Sequence, residues 1–82
     1  MNFTCNQLVK VTAGKYKGLI MAVVATDGAY VYTADGRHRK KEHPKKLNPK
    51  HLLSLGLKIE EAESLTNKML WRKIQLLSVK ID

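Results

Sequence analysis

The hydrophobic pattern changes period part-way along the chain. Leu8-Val9-Lys10-Val11-Thr12 is β-branched with polar residues at alternate places, Leu19 to Thr26 is almost continuously apolar, and Ala29 to Ala34 carries Tyr30, Val31, Tyr32 and Thr33. These runs predict three strands. Asp27-Gly28 and Asp35-Gly36 follow the second and third as hairpin signals, because glycine takes the positive φ that tight turns demand. Arg37 to His43 predicts a charged fourth strand at a sheet edge, where lysines discourage sheet-to-sheet association. Pro44-Lys45-Lys46-Leu47-Asn48-Pro49 reads as extended loop, since each proline lacks a ladder donor. Lys50 to Leu53 predicts a brief closing strand, and Leu55-Gly56 a stop.

Beyond that point the period becomes helical. Glu60, Glu61 and Glu63 favour a helix start within Ile59 to Glu63. Thr66 or Asn67 is a suitable N-cap for a second helix running to about Val79. Leu70, Ile74, Leu77 and Ile81 mark its apolar face, Lys68, Arg72 and Gln75 the opposite side, and Lys80 suits the dipole at its end. Trp71 lies beside the apolar face and reads as a cover for the core, with protein docking as the other use. The chain therefore divides into a mainly β part over residues 1–53, a small barrel of about five strands, and a tail of one or two helices over residues 54–82 that packs on the barrel. At 82 residues the core is thin, about 60–65% of the unfolded surface being buried, which leaves little room for a deep substrate pocket.

Charge sharpens this picture. Fifteen Lys and Arg oppose seven Asp and Glu, a net charge of +8. Residues 1–51 hold ten of these cations against three acids, and residues 52–82 hold five against four. A field of that sign attracts polyanions. Three basic sites stand out. Gly14-Lys15-Tyr16-Lys17-Gly18 is a loop whose glycines, Gly14 and Gly18, let the backbone turn sharply and approach a partner. Its spacing is not that of a P-loop. Arg37-His38-Arg39-Lys40-Lys41 is the second site, and Lys45-Lys46 continuing to Lys50-His51 the third. Residues 37–51 hold seven Lys and Arg against the single acid Glu42, together with all three histidines, His38, His43 and His51. That density points to phosphate contact, with the histidines as hydrogen-bonding neighbours of phosphate rather than metal ligands. Tyr16 could stack on a base; Tyr30 and Tyr32, in a strand, are expected to pack across the sheet.

The order Val9-x-Val11-x-x-Gly14-x-x-Lys17-Gly18 before an apolar strand resembles the KOW motif of SH3-like barrels in ribosomal proteins and transcription elongation factors. Asp35-Gly36-Arg37-x-Arg39 followed by Pro44-Lys45-Lys46-x-Asn48-x-Lys50-His51-Leu52 is similar to the short bacterial KOW-domain RNA-binding proteins. These in turn resemble the KOW-type large-subunit ribosomal proteins of archaea and eukaryotes. The resemblance spans residues 6–53. Met21 stands where a glycine often follows Lys-Gly by three places. The resemblance implies an SH3-like β-barrel and binding of structured RNA, ribosomal or ribosome-associated, through Lys15, Lys17 and the basic segment, with no catalytic activity.

Other classes find less support. No nucleophile–base pair or paired carboxylates sit at recognisable spacing, so an enzyme is not expected, nor is a cofactor. The lone Cys5 cannot form an internal disulfide and no Cys/His set has zinc spacing, which suits reducing cytoplasm. Met1 to Gln7 lacks a secretory signal, and the longest apolar run, Leu19 to Ala25, is too short for a membrane span of roughly 20 residues. A protein-interaction adaptor would need an aromatic-lined groove, whereas Phe3, Tyr16, Tyr30, Tyr32 and Trp71 are scattered. A transcription elongation partner is also compatible with the KOW pattern, and the helical tail could hold a protein partner.

Overall fold

The computed structural model describes residues 3–79. Five strands, β1 (Gln7–Val11), β2 (Ile20–Thr26), β3 (Val31–Ala34), β4 (Lys45–Leu47) and β5 (Leu52–Lys58), form one antiparallel sheet in the order β4-β3-β2-β1-β5. One α-helix, α1 (Asn67–Ser78), follows them. The protein is thus mainly β, a small barrel-like sheet with a C-terminal helix.

Both faces of the sheet are covered, which is why β2 reads as a continuous apolar run. On the barrel side Val9, Val11, Met21, Val23, Val31 and Leu52 enclose Phe3. On the other side Leu8, Ala22 and Ala34 lie opposite one another across β1, β2 and β3. The two alanines in that row leave space for Leu70 and Ile74 of α1, which pack there with Ile59 and Ala62. Leu70 and Ile74 are fully buried, each contributing about 1.5–3 kcal/mol on the usual area scale. Thr66 caps the helix as expected, its Oγ1 accepting the Met69 N–H at 3.1 Å. Lys80 and Ile81 lie outside the described residues.

Four elements differ from the sequence reading. Arg37 to His43 is not a strand but part of a turned connection between β3 and β4. Its polar groups are satisfied internally: Asp35 Oδ1 accepts the N–H groups of Arg37, His38 and Arg39, and the Arg39 guanidinium donates to the carbonyls of His43 and Pro44. For the same reason Asp35-Gly36 opens a long connection rather than a two-residue hairpin. The fourth strand is instead Lys45–Leu47, within the stretch read as loop. Pro44 and Pro49 fall just outside it and cost the ladder no donor. β5 runs through Gly56 to Lys58, so the boundary expected between residues 53 and 54 falls inside a strand. A bulge opposite Leu8 absorbs the positive φ of Gly56 (73°) without ending the strand. Finally, the acidic run after Ile59 forms only a single 3₁₀ turn, Ala62–Ser64, preceded by Glu61 in the left-handed region at φ 54°.

Candidate functional site

In this up-and-down order the β1–β2 and β3–β4 connections emerge at the same end of the sheet and the β2–β3 hairpin at the other. The first two connections carry two of the predicted basic sites. The β1–β2 loop is set by short-range hydrogen bonds: the Lys17 N–H donates to the Gly14 carbonyl at 3.1 Å and the Gly18 N–H to the Val11 carbonyl at 2.8 Å. Gly14 (φ 85°) and Gly18 (φ 94°) both stand in the region that favours glycine, and a Cβ on either would meet open space. Lys15 and Lys17 are exposed. Tyr16 turns inward and packs against the barrel core, with the Lys15 ammonium 5.6 Å from its ring. It is therefore committed to packing rather than presented for stacking on a base.

The 3₁₀ turn Pro49–His51 lies against this loop, the Thr12 N–H donating to the His51 carbonyl at 2.8 Å. Lys50 is thereby placed, exposed, on the same side, with His51 half-buried next to it.

The β3–β4 connection is organised by Asp35, which is fully buried. Besides the three backbone N–H groups, its second oxygen meets His38 Nδ1 at 2.8 Å. Pairing with the carboxylate puts the imidazole proton on Nδ1 and fixes the ring. His38 then stands edge-on to Trp71 with ring centroids 5.6 Å apart, and the Arg37 guanidinium lies 5.2 Å from the indole centroid. Trp71 also lines a cleft of about 170 Å³ with Gly18, Leu19, Ile20, Gln75 and Ser78. One indole therefore joins the two connections, and the tail contributes to the site as well as covering the sheet.

Not every predicted cation is available. Lys41 is a strut. Its ammonium donates to the carbonyls of Ala62 (2.9 Å), Glu63 (3.1 Å) and Leu65, and its backbone N–H to Asn67 Oδ1 (2.9 Å). Asn67 Nδ2 in turn meets both carboxylate oxygens of Glu42 at 3.0 Å, a hydrogen bond that holds Glu42 below the usual carboxylate range. Arg39 is tied to the carbonyls already named. Alternation places Lys45 half-buried on the Leu47 side of β4. Lys46 belongs to a separate cluster, its ammonium 4.3 Å from the Tyr30 ring centroid. There Asp27 accepts the Tyr30 N–H at 2.8 Å and the Tyr32 hydroxyl at 2.8 Å, contacts that lower the carboxyl and raise the phenol. Of the predicted cations at this end, Lys15, Lys17, Arg37, Lys40 and Lys50 are thus the exposed ones, and Arg72, next to Trp71 on α1, is exposed as well.

Lys41→Gln is expected to lower unfolding free energy by about 1–3 kcal/mol, because a charged donor is withdrawn from three carbonyls. Urea midpoints measure this. A variant as stable as the wild type would show that the strut is dispensable.

His38, expected beside phosphate, is paired with Asp35 instead; Trp71 and Asn67 are the residues that sequence reasoning did not assign to the site. Their only signal was negative: an aromatic beside the apolar stripe, and a polar group next to a turn. Among the described residues no group of three His, Cys, Asp or Glu could hold a metal ion, and no helix is long and apolar enough to cross a membrane. The chain matches no known family model and no curated protein.

Proposed function

We propose that this protein is a cytoplasmic RNA-binding module of the KOW type that holds structured RNA, ribosomal or ribosome-associated, by its phosphates. The observation that carries the reading is the convergence of two cationic connections, with Lys15 and Lys17 on one and Arg37 and Lys40 on the other, on the single indole of Trp71. Lys50 extends the same end through the 3₁₀ turn held to Thr12. Lysines on a backbone-fixed loop act as point charges for phosphate, and Arg37, whose guanidinium rests on an aromatic face, presents its remaining donors in a fixed plane. The acids nearest these cations do not neutralise them: Asp35 is buried and occupied by its own turn, and Glu42 is engaged by Asn67.

Binding should therefore depend on salt. Log affinity is expected to fall linearly with log salt, by about 0.7–0.9 per phosphate contact. Neutralising Lys15, Lys17, Lys40 and Lys50 together should flatten that slope by about 3, whereas Lys46→Ala, in the separate tyrosine cluster, should leave it unchanged. Binding isotherms on a structured RNA across a salt series make the comparison. A flat response in the wild type would remove the electrostatic basis of the reading.

A further inference from the structure

We propose that the cleft between Gly18-Leu19-Ile20 and Trp71-Gln75 receives one unpaired nucleotide, its base stacked against the indole, so that the protein selects RNA with an extruded base over continuous duplex. This rests on the RNA-binding reading and adds to it a site for the base.

The walls of the cleft favour a flat heterocycle. Trp71 supplies an aromatic surface whose orientation is supported by Arg37 and His38, and His38 is itself held by the buried Asp35. The facing wall is formed by Gly18, Leu19 and Ile20. Gly18 has no side chain, and the space its Cβ would occupy is open. Gln75, one helical turn after Trp71, lines the same cleft and is exposed. Its amide offers both donors and an acceptor, the pairing that a base edge requires. Ser78 at the far end turns its hydroxyl back to the Gln75 carbonyl at 2.8 Å, leaving the Gln75 amide as the group that addresses the ligand. At about 170 Å³ the cleft is too small for a peptide helix, whose diameter with side chains is roughly 10–12 Å.

Charge completes the argument. Lys15 and Lys17 lie on the loop that ends at Gly18, and Arg37 and Lys40 lie on the connection across the indole. A nucleotide seated on Trp71 would have cations on both sides for its flanking phosphates. In A-form duplex the bases are stacked inside and the major groove is too narrow for side chains, so a base reaches such a cleft only from a loop, bulge or end. A protein ligand would have to place its own anionic groups on both sides of an aromatic residue to fit the same surroundings.

Trp71 is the only tryptophan in the chain, so fluorescence excited beyond the tyrosine absorption reports on the surroundings of this one indole. The full chain is titrated with an RNA hairpin bearing a single-stranded loop and with a perfect duplex of equal phosphate number, and binding is followed independently by anisotropy of labelled RNA. The hairpin is expected to quench the indole and to bind on the order of 10-fold tighter than the duplex. Trp71→Ala should bring the ratio of hairpin to duplex affinity close to one, and Trp71→Phe should retain most of the preference. Gln75→Ala, at an exposed position, tests the same cleft without risk to the fold and should narrow the difference among U, C, A and G loops. Saturation by the hairpin with unchanged fluorescence, or equal affinity for hairpin and duplex, overturns the proposal and leaves phosphate binding standing. No binding of either RNA overturns both.

Discussion

Gly36→Ala is expected to destabilise this protein more than any other single methyl addition to a glycine. Gly36 sits at φ 85° at the start of the β3–β4 connection, and a Cβ there would lie 2.0 Å from the backbone carbonyl oxygen of Asn67. That oxygen belongs to the first residue of α1 and cannot rotate aside as a side-chain tip could. Either the connection or the helix must move. The helix is fixed by Leu70 and Ile74 beneath it, and the connection by Asp35 and by the Lys41 and Glu42 contacts to Asn67. The left-handed φ adds about 1–2 kcal/mol for any L side chain. A loss of at least about 4 kcal/mol is expected, a large part of the 5–15 kcal/mol by which domains are usually stable. Gly28→Ala is the matched control. Its φ is 91° but its Cβ would meet nothing within 4 Å, so it should lose only the conformational part. Urea unfolding of both variants separates the two causes. Equal losses would show that the close approach to Asn67 is relieved without penalty.

Asp35→Ala should come next. The carboxylate is fully buried and accepts three backbone N–H groups at 2.9, 2.8 and 3.1 Å as well as His38 Nδ1. Alanine would leave those donors without their acceptor. Removing one partner from a buried charged network costs about 3–5 kcal/mol, or roughly 15–30 °C in melting temperature for a domain of this size. Asp35→Asn keeps the oxygen that meets the three N–H groups and should recover much of the loss. Functionally, the free connection would let Arg37 and His38 leave Trp71, so any protein that still folds should show an altered near-ultraviolet signal from the indole. A melting curve within a few degrees of wild type for Asp35→Ala would mean that water replaces the carboxylate at no cost.

These two variants also locate the join between barrel and helix. The sequence divides the chain into a basic β part and a nearly neutral helical tail, but the contacts do not respect that division. Lys41, written into the basic segment by its neighbours, closes the 3₁₀ turn before α1. Trp71, written into the tail, stands between the two basic connections. A deletion of residues 66–82 would therefore remove part of the candidate site along with the cover over Leu8, Ala22 and Ala34.

What the sequence determined by itself is what short-range physics controls. Alternation and β-branching placed β1, β2 and β3, Asp27-Gly28 placed a turn, and Thr66 with the spacing of Leu70 and Ile74 placed α1 almost residue for residue, because each depends on neighbours within a few positions. The positive φ of Gly14 and Gly18 was legible for the same reason. Tertiary structure decided the rest. Lysine and arginine look alike along a chain whether their charge faces solvent or a set of carbonyls, so Arg39 and Lys41 could be told from Arg37 and Lys40 only once their carbonyl partners, for Lys41 some twenty residues away, were in place. Whether Arg37 to His43 becomes a strand depends on where Asp35 sends its oxygens, and Asp35 is buried between Ala34, packed in one cluster with Leu70 and Ile74, and Gly36, set against the Asn67 carbonyl. The meander brings the first and third connections to one end, and the helix lays a single indole between them; both are consequences of long-range packing, which no local pattern of residues encodes.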